Sequence, residues 1–464
     1  MNRLIISFVA VLFVFAFSEA QSPDAVYFDR IEYGVGDGPA YACIADLDGD
    51  GDEDVASANK LTHDVSVLFN NGDGTFYADS VYGAGGNPVS ICAADLDGNG
   101  NNDLAVANWQ TNNVSILFNS GGGVFQATAY YGVGMQPYSI QVHDLDDDGD
   151  NDLAVANWGS NNVSILINNG DGTFQAAVNY GTGINPRLVF ISDLDGDGDG
   201  DLSVASSGSN CASILKNNGD GTFQARVNYP AGNGCCSVFS CDLDGDDDGD
   251  LAVANWNSNY VAVLKNNGDG TFQSANYYNA GNSTSTVWAS DIDDDGYADL
   301  ITASWYSHNI SVFFNNGDGT FQLPENHAVG TNPISVSAAD LDDDGDRDLV
   351  TSNYGSDDVS ILLSEIVTAI EGGPAAMPVI IGFSPYPNPF NSSITIRYGL
   401  REPSKISIDI YDLLGRKVET LSQGYRPAGN HQVVWDAGNL ISGNYFCKIE
   451  TKWYSETKKM VLLR

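Results

Sequence analysis

Apolar residues between positions 27 and 363 fall in short runs, and within many of them every second position is polar. Gly, Asn and Asp break the runs apart. One unit shows the pattern. Pro137-Tyr138-Ser139-Ile140-Gln141-Val142-His143 reads as a first strand, A, and Leu153-Ala154-Val155-Ala156-Asn157 as a second, B. Asn162 to Ile167 reads as a third, C, with Val163, Ile165 and Ile167 on one face. Asn169-Gly170-Asp171-Gly172 is a hairpin signal, because Asn-Gly and Asp-Gly accept positive φ. Thr173 to Tyr180 then reads as a fourth strand, D. No helical period competes with this reading.

The unit recurs every 49 residues. Its acidic segment begins at Asp46, Asp95, Asp144, Asp193, Asp242, Asp291 and Asp340. The turn N-N-G-D-G-T-F recurs from Asn70, Asn168, Asn217, Asn266 and Asn315, with an altered copy from Asn119 to Phe125. Four short strands in a repeat of this length predict an all-β fold, a seven-bladed β-propeller over residues 27–363. The seventh unit stops after strand C, at Val359 to Leu363, and Ser364-Glu365 replaces the turn. A spare strand D, Tyr27 to Tyr33, stands at the other end of the repeats. The two irregularities predict that the N-terminal strand completes the last blade and closes the ring, leaving no open sheet edge.

Each acidic segment has the form D-x-D-x-D-G-x-x-D. Ca²⁺ takes six to eight oxygens, and alternating carboxylates with a glycine at the turn supply them. The candidate ligands at positions 1, 3, 5 and 9 are Asp46, Asp48, Asp50 and Asp54 in the first loop, and Asp95, Asp97, Asn99 and Asp103 in the second. The third and fourth offer Asp144, Asp146, Asp148 and Asp152, then Asp193, Asp195, Asp197 and Asp201. The fifth and sixth offer Asp242, Asp244, Asp246 and Asp250, then Asp291, Asp293, Asp295 and Asp299. The seventh offers Asp340, Asp342, Asp344 and Asp348. Up to seven Ca²⁺ ions are expected. Position 9 is expected to close each site, and the fifth loop departs from the pattern with Asp247 where glycine stands elsewhere. An EF-hand is excluded: Ser57, Val106 and Val155 occupy position 12 where a bidentate Glu belongs, and the flanks are strands.

Net charge is −42, and residues 1–363 carry −44 of it against +2 for residues 364–464. A field of that sign excludes nucleic acid and anionic membrane surfaces as partners. Arg3, the apolar run Leu4 to Phe17 and Ser18-Glu19-Ala20 read as a signal peptide over residues 1–20. Export permits disulfides, and Cys211 is expected to lie near Cys235 and Cys236, on the face opposite the acidic loops. Among seven cysteines at least one stays unpaired.

The acidic loop running into Asp-Leu-x-Val, with N-N-G-D-G-T-F at a fixed distance, resembles FG-GAP/VCBS repeats, bacterial relatives of the integrin α-subunit propeller blades. The resemblance implies loops between strands A and B that hold Ca²⁺, and a role in adhesion or carbohydrate binding. A clear Phe-Gly…Gly-Ala-Pro signature is missing, which places the chain nearer the VCBS branch.

Residues 364–382 lack the repeat and read as a linker. Beyond them Ile394/Ile396/Tyr398, Ile406/Ile408/Ile410, Val433/Trp435 and Tyr445/Cys447/Ile449 alternate, as in a small β-sandwich, here expected to be Ig-like. Residues 383–464 resemble the type A sorting domain of the type IX secretion system in Y-P-N-P-F-N (386–391), Ile410 to Arg416, Ala428-Gly429-Asn430-His431, Trp435-Asp436, Ser442-Gly443-Asn444-Tyr445 and Thr457 to Leu462. That resemblance implies engagement of the type IX machinery and release from, or retention on, the surface of a Gram-negative bacterium.

No catalytic constellation stands out. The five histidines, His63, His143, His308, His327 and His431, sit in no nucleophile elbow, zinc motif or triad. The expected function is a calcium-binding adhesion or carbohydrate-binding module; the competing reading is a lyase-like enzyme acting on polysaccharide. The residue after strand B is Lys60, Trp109, Trp158, Ser207, Trp256, Trp305 and Tyr354 in the seven repeats. Trp109, Trp158, Trp256, Trp305 and Tyr354 form a candidate ligand face, with Asn108, Asn157, Asn255 and Asn353 as candidate hydrogen-bonding amides; the competing reading is that these rings pack between neighbouring blades, which need large side chains where they diverge.

Overall fold

The computed structural model describes residues 25–126, 129–367, 380–386, 388, 390–400, 404–413, 415–427, 429–438, 440–451 and 455–463. The signal-peptide reading and most of the linker lie outside them. All regular structure among the described residues is β. Residues 25–367 form seven four-stranded antiparallel sheets. In the third blade strands A to D are Pro137–His143, Asp152–Asn157, Asn162–Leu166 and Val178–Gly181. Strand A of each blade packs against strand A of both neighbours, so these strands surround a central axis.

The apolar core lies between blades. Strand B of the second blade, Asp103–Asn108, is buried along its whole length because a sheet covers each face. Leu104 and Val106 face the first blade, and Ala105 and Ala107 face the third. Large residues on one face and small ones on the other let successive sheets interlock, as close packing requires.

The last blade is built from both ends of the repeat region. Ala25–Gly34 pairs antiparallel with Asp358–Val367, with Tyr33 opposite Val359 and Ala25 opposite Val367. The closing strand thus runs four residues past 363. Aromatic pairs repeat around the ring: Tyr82–Phe125, Tyr131–Phe174, Tyr180–Phe223, Tyr229–Phe272 and Tyr278–Phe321 meet edge to face with centroids 5.1–5.3 Å apart. The N-terminal strand supplies the two remaining pairs, Tyr33–Phe76 at 5.6 Å and Phe28–His327 at 4.8 Å.

The first Asn of each N-N-G-D-G-T-F turn ties its blade to the one before. Asn119 Nδ2 donates to Leu47 O at 2.7 Å, and Asn70, Asn168, Asn217, Asn266 and Asn315 make the same bond to Leu341, Leu96, Leu145, Leu194 and Leu243. At the seam between the sixth and seventh blades Ser364 stands in that place, its Oγ buried without a partner.

The C-terminal part has two sheets. Ile380–Tyr386, Ser393–Leu400 and Gly429–Asp436 form one; Lys417–Arg426, Ser404–Asp412, Gly443–Glu450 and Ser455–Leu462 form the other. Both contribute to a single core around Trp435. Asn388 of the Y-P-N-P-F-N segment clasps the last strand: Nδ2 donates to Lys459 O at 2.9 Å, and Oδ1 accepts from Val461 N at 2.7 Å. Asp412 holds its turn closed by accepting from Arg416 N at 3.0 Å and Arg416 Nε at 2.7 Å.

Candidate metal loops and the opposite mouth

The acidic loops join strands A and B on one face of the propeller. Asp46, at position 1, accepts Gly49 N and Gly51 N, and Asp50, at position 5, accepts Asp52 N. These bonds curl the loop so that carboxylates converge. Ligand-type oxygens of Asp46, Asp48 and Asp50 lie within 4.8 Å of one another; so do those of Asp95, Asp97 and Asp103, and of Asp144, Asp146 and Asp152. Further sets are Asp193, Asp195 and Asp197, and Asp242, Asp244 and Asp246. Positions 4 and 6 are left-handed, the reason glycine recurs there. Asp247 takes φ 67° at position 6 and its N–H still reaches Asp242, so the fifth loop keeps the shape of the others. Asp tolerates this conformation better than most residues.

One observation tests whether these loops suit a hard cation. Asp146, Asp195, Asp244 and Asp342, all at position 3, each keep Oδ1 buried and without a hydrogen-bond partner. A buried carboxylate oxygen left so is costly unless a cation meets it, and Ca²⁺ prefers such oxygens. Position 9 is more constrained than its expected role of closing the site. Asp54 Oδ2 accepts Leu47 N at 2.9 Å and Oδ1 accepts Asn70 N at 2.8 Å, and Asp103, Asp152, Asp201, Asp250, Asp299 and Asp348 repeat the first bond. This aspartate braces the loop against the next turn, and any ion shares oxygens already engaged. Burial pushes Asp54 up to about 7 and Asp299 up to about 8, against the pull of those two N–H groups. Asn99 at position 5 of the second loop donates to Asn119 O and accepts Asn101 N.

Two loops carry a cation of their own. Lys216 Nζ lies 2.9 Å from Asp195, and Lys265 Nζ 2.8 Å from Asp244. The equivalent residues elsewhere are Phe69, Phe118, Ile167, Phe314 and Leu363.

On the opposite face the aromatic residues form a half-buried collar. Trp109 and Trp158 meet at 5.4 Å, Trp256 and Trp305 at 5.6 Å, and Trp305 and Tyr354 at 5.3 Å. Lys60 Nζ lies 5.8 Å from the Trp109 ring. The neighbouring amides do not face a ligand. Asn108 is fully buried; its Nδ2 donates to Ser115 Oγ at 2.6 Å and its Oδ1 accepts Gly85 N at 3.0 Å. Asn157, Asn255 and Asn353 are buried in the same way, because the end of strand B still lies between two sheets. Cys211, Cys235 and Cys236 form no disulfide in the structure. The Cys211 thiol lies by Ser213, and Cys235 turns to Gly232 O and Asn255, so these cysteines pack as reduced side chains rather than bridging.

Inside the collar the axis opens in a mouth lined by the second residue of every strand A: Ala40, Val89, Tyr138, Arg187, Cys236, Ser285 and Ile334. Each is the extra residue of a β-bulge, where the A–B register slips by one, as between Pro137 and Ser139 or Pro186 and Leu188.

Comparisons with known proteins agree with this geometry. The model described as FG-GAP-like repeat matches residues 46–106, 95–155, 144–204, 193–253, 242–302 and 291–351. The chain belongs to the FG-GAP-like repeat family. The model described as secretion system C-terminal sorting domain matches residues 384–463, which marks this family member as a secreted or cell-surface protein that engages the type IX secretion machinery. No helix among the described residues is long and apolar enough to cross a membrane. No curated protein matches the chain. Among solved structures, BBS1N in complex with ARL6DN matches with TM-score 0.53 at 15% identity, over 73% of this chain and 97% of that one. A candidate 6-phosphogluconolactonase from Bacteroides uniformis matches with TM-score 0.50 at 16% identity, over 64% and 87%. At such identity these two show the fold alone.

Sequence reasoning missed Arg187, Lys216 and Lys265. A signal was present: residues 1–363 contain eight Lys and Arg, and aligning the repeats puts these three at positions that are uncharged in most other copies.

Proposed function

We propose that this FG-GAP-like protein is a calcium-stabilised extracellular module that binds carbohydrate through the face opposite its acidic loops. The observation that supports the reading best is the collar of Trp109, Trp158, Trp256, Trp305 and Tyr354, half-buried around the mouth of the axis. Aromatic rings stack on the apolar faces of sugars, and their rigidity keeps the entropy cost of binding small. Calcium belongs to the other face, where it would fix the loops that start every strand B, and the buried position-3 oxygens support that assignment.

A glycan array probed with the mature protein, in calcium and in chelator, tests the reading. Binding to a defined set of glycans is expected in calcium, and loss of that binding in Trp109→Ala and Trp158→Ala, with the fold retained by circular dichroism. An array without hits would remove the glycan-binding reading, and variants that bind as the parent does would remove its placement on this collar.

A further inference from the structure

Arg187 is the single charged residue among the seven bulge positions, and its surroundings are unusual for a cation in so acidic a protein. Its Nη2 donates to Tyr138 Oη at 2.6 Å. The guanidinium carbon lies 4.8 Å from the Tyr138 ring and 5.4 Å from the Trp256 ring. Among the described residues no carboxylate pairs with it, although 52 Asp and Glu lie in residues 1–363. Among the described residues no Asp or Glu lines the mouth, whereas Lys60, the one cation among the residues that follow strand B, does. The acids of this face, Asp37, Asp64, Asp357 and Asp358, are carried by segments outside the mouth lining. The mouth is therefore a local cationic site on the face opposite seven acidic loops.

The bulge makes the site. In each blade it takes the second residue of strand A out of the A–B pairing and leaves it at the axis, a re-aiming for which bulges are used. A guanidinium held between two aromatic faces keeps its planar fork of donors and loses little freedom on binding. Its natural complement is a planar carboxylate, met by two parallel N–H···O bonds.

We propose that the mouth binds the carboxylate of an acidic sugar: Arg187 grips the carboxylate, Lys60 adds attraction from the rim, and the Trp256 and Tyr354 rings flank the sugar. This rests on the carbohydrate-binding reading and narrows it to uronate-bearing glycans.

The test is calorimetric titration of the full mature chain, in calcium, with a trisaccharide of galacturonate and with its carboxyl-reduced, neutral form. The acidic trisaccharide is expected to bind about tenfold more tightly or better, the usual worth of a charge-assisted pair. Arg187→Gln is expected to bring it down to the neutral level, and Lys60→Gln to weaken it about threefold, as expected of a rim charge. Ile334→Asp, which places a competing carboxylate in the mouth, is expected to remove the acidic preference selectively and serves if Arg187→Gln does not fold. Equal affinity for both sugars would overturn the proposal and leave the glycan-binding reading standing. An acidic preference that survives Arg187→Gln or Ile334→Asp would also overturn it, placing the site elsewhere. Failure of both sugars to bind would overturn the proposal, and the glycan array decides separately whether the wider carbohydrate-binding reading stands.

Discussion

On the acidic face every copy of the repeat keeps aspartate at loop positions 1, 3 and 9 and a left-handed residue at positions 4 and 6. On the opposite face the seven bulge positions carry Ala40, Val89, Tyr138, Arg187, Cys236, Ser285 and Ile334, no two alike. The same backbone underlies both sets. One face repeats a chemistry that each blade needs in order to start its strand B. The other uses equivalent backbone positions to place seven different residues around one axis. A single asymmetric ligand is better met by the second arrangement than by the first.

The largest effect is expected from the strand that both faces depend on. Deleting residues 25–34 leaves Asp358–Val367 an unpaired edge and removes Phe28 and Tyr33 from their aromatic pairs. Exposed edges recruit other chains. The deletion variant is expected to aggregate in size-exclusion chromatography, and a monomeric variant as stable as the parent would contradict closure through this strand.

Chelation separates the faces more cleanly. Each ion bound only by the folded loops adds about 2.7 kcal/mol when calcium is at a hundred times its dissociation constant. Removing up to seven should lower Tm by on the order of 10 °C or more. Calcium is expected to restore the melt and Mg²⁺, with its stricter octahedral demand, to restore it poorly. An unchanged melt after thorough chelation would exclude a structural role for metal on this face.

The repeat, the four strands, the turn, the loops and the closing strand were legible because each is written locally: alternation within strands, Asn-Gly and Asp-Gly at turns, and a constant spacing between copies. Three features were not. The burial of Asn108 and its equivalents depends on the sheets above and below strand B, which alternation along one strand does not encode. The engagement of both oxygens of Asp54 depends on Asn70, which a loop motif read alone leaves out. The placing of Arg187 at the axis depends on a one-residue register slip that leaves no mark within a single repeat. In the C-terminal part the motif residues were visible, but the clasp of Asn388 on Val461 joins opposite ends of that domain and needed the structure.

The lysines at the fourth and fifth loops allow a finer test of the acidic face. An ammonium beside a ligand carboxylate raises the local potential against an incoming divalent cation. At about 5 Å in a water-like dielectric the repulsion is about 1.7 kcal/mol. Lys216→Met and Lys265→Met together are therefore expected to raise calcium affinity at these two loops about tenfold, read as tighter late steps in a competitive chelator titration. If the late steps do not move, the lysines are exposed partners of Asp195 and Asp244 without influence on the metal.

The smallest effect concerns the seam where the ring is least tied. Six of the interfaces between blades carry the Asn-to-carbonyl bond, whereas at the seventh Ser364 leaves its Oγ buried and unpartnered. The backbone there already matches the other copies: Ser364 N donates to Asp348 Oδ1 at 2.6 Å, as Asn168 N does to Asp152 Oδ1 at 2.7 Å. Ser364→Asn should therefore direct its amide toward the carbonyl of Ile292, the residue equivalent to Leu243 in the preceding blade. A net hydrogen bond contributes about 1 kcal/mol, and removing a buried orphan adds to it. Ser364→Asn is expected to raise Tm by about 2–4 °C, and Asn168→Ser, which recreates the weak seam elsewhere, to lower it by a similar amount. If Asn168→Ser is destabilising but Ser364→Asn is too, the seam is packed around serine and the missing tie belongs to the way the two chain ends meet.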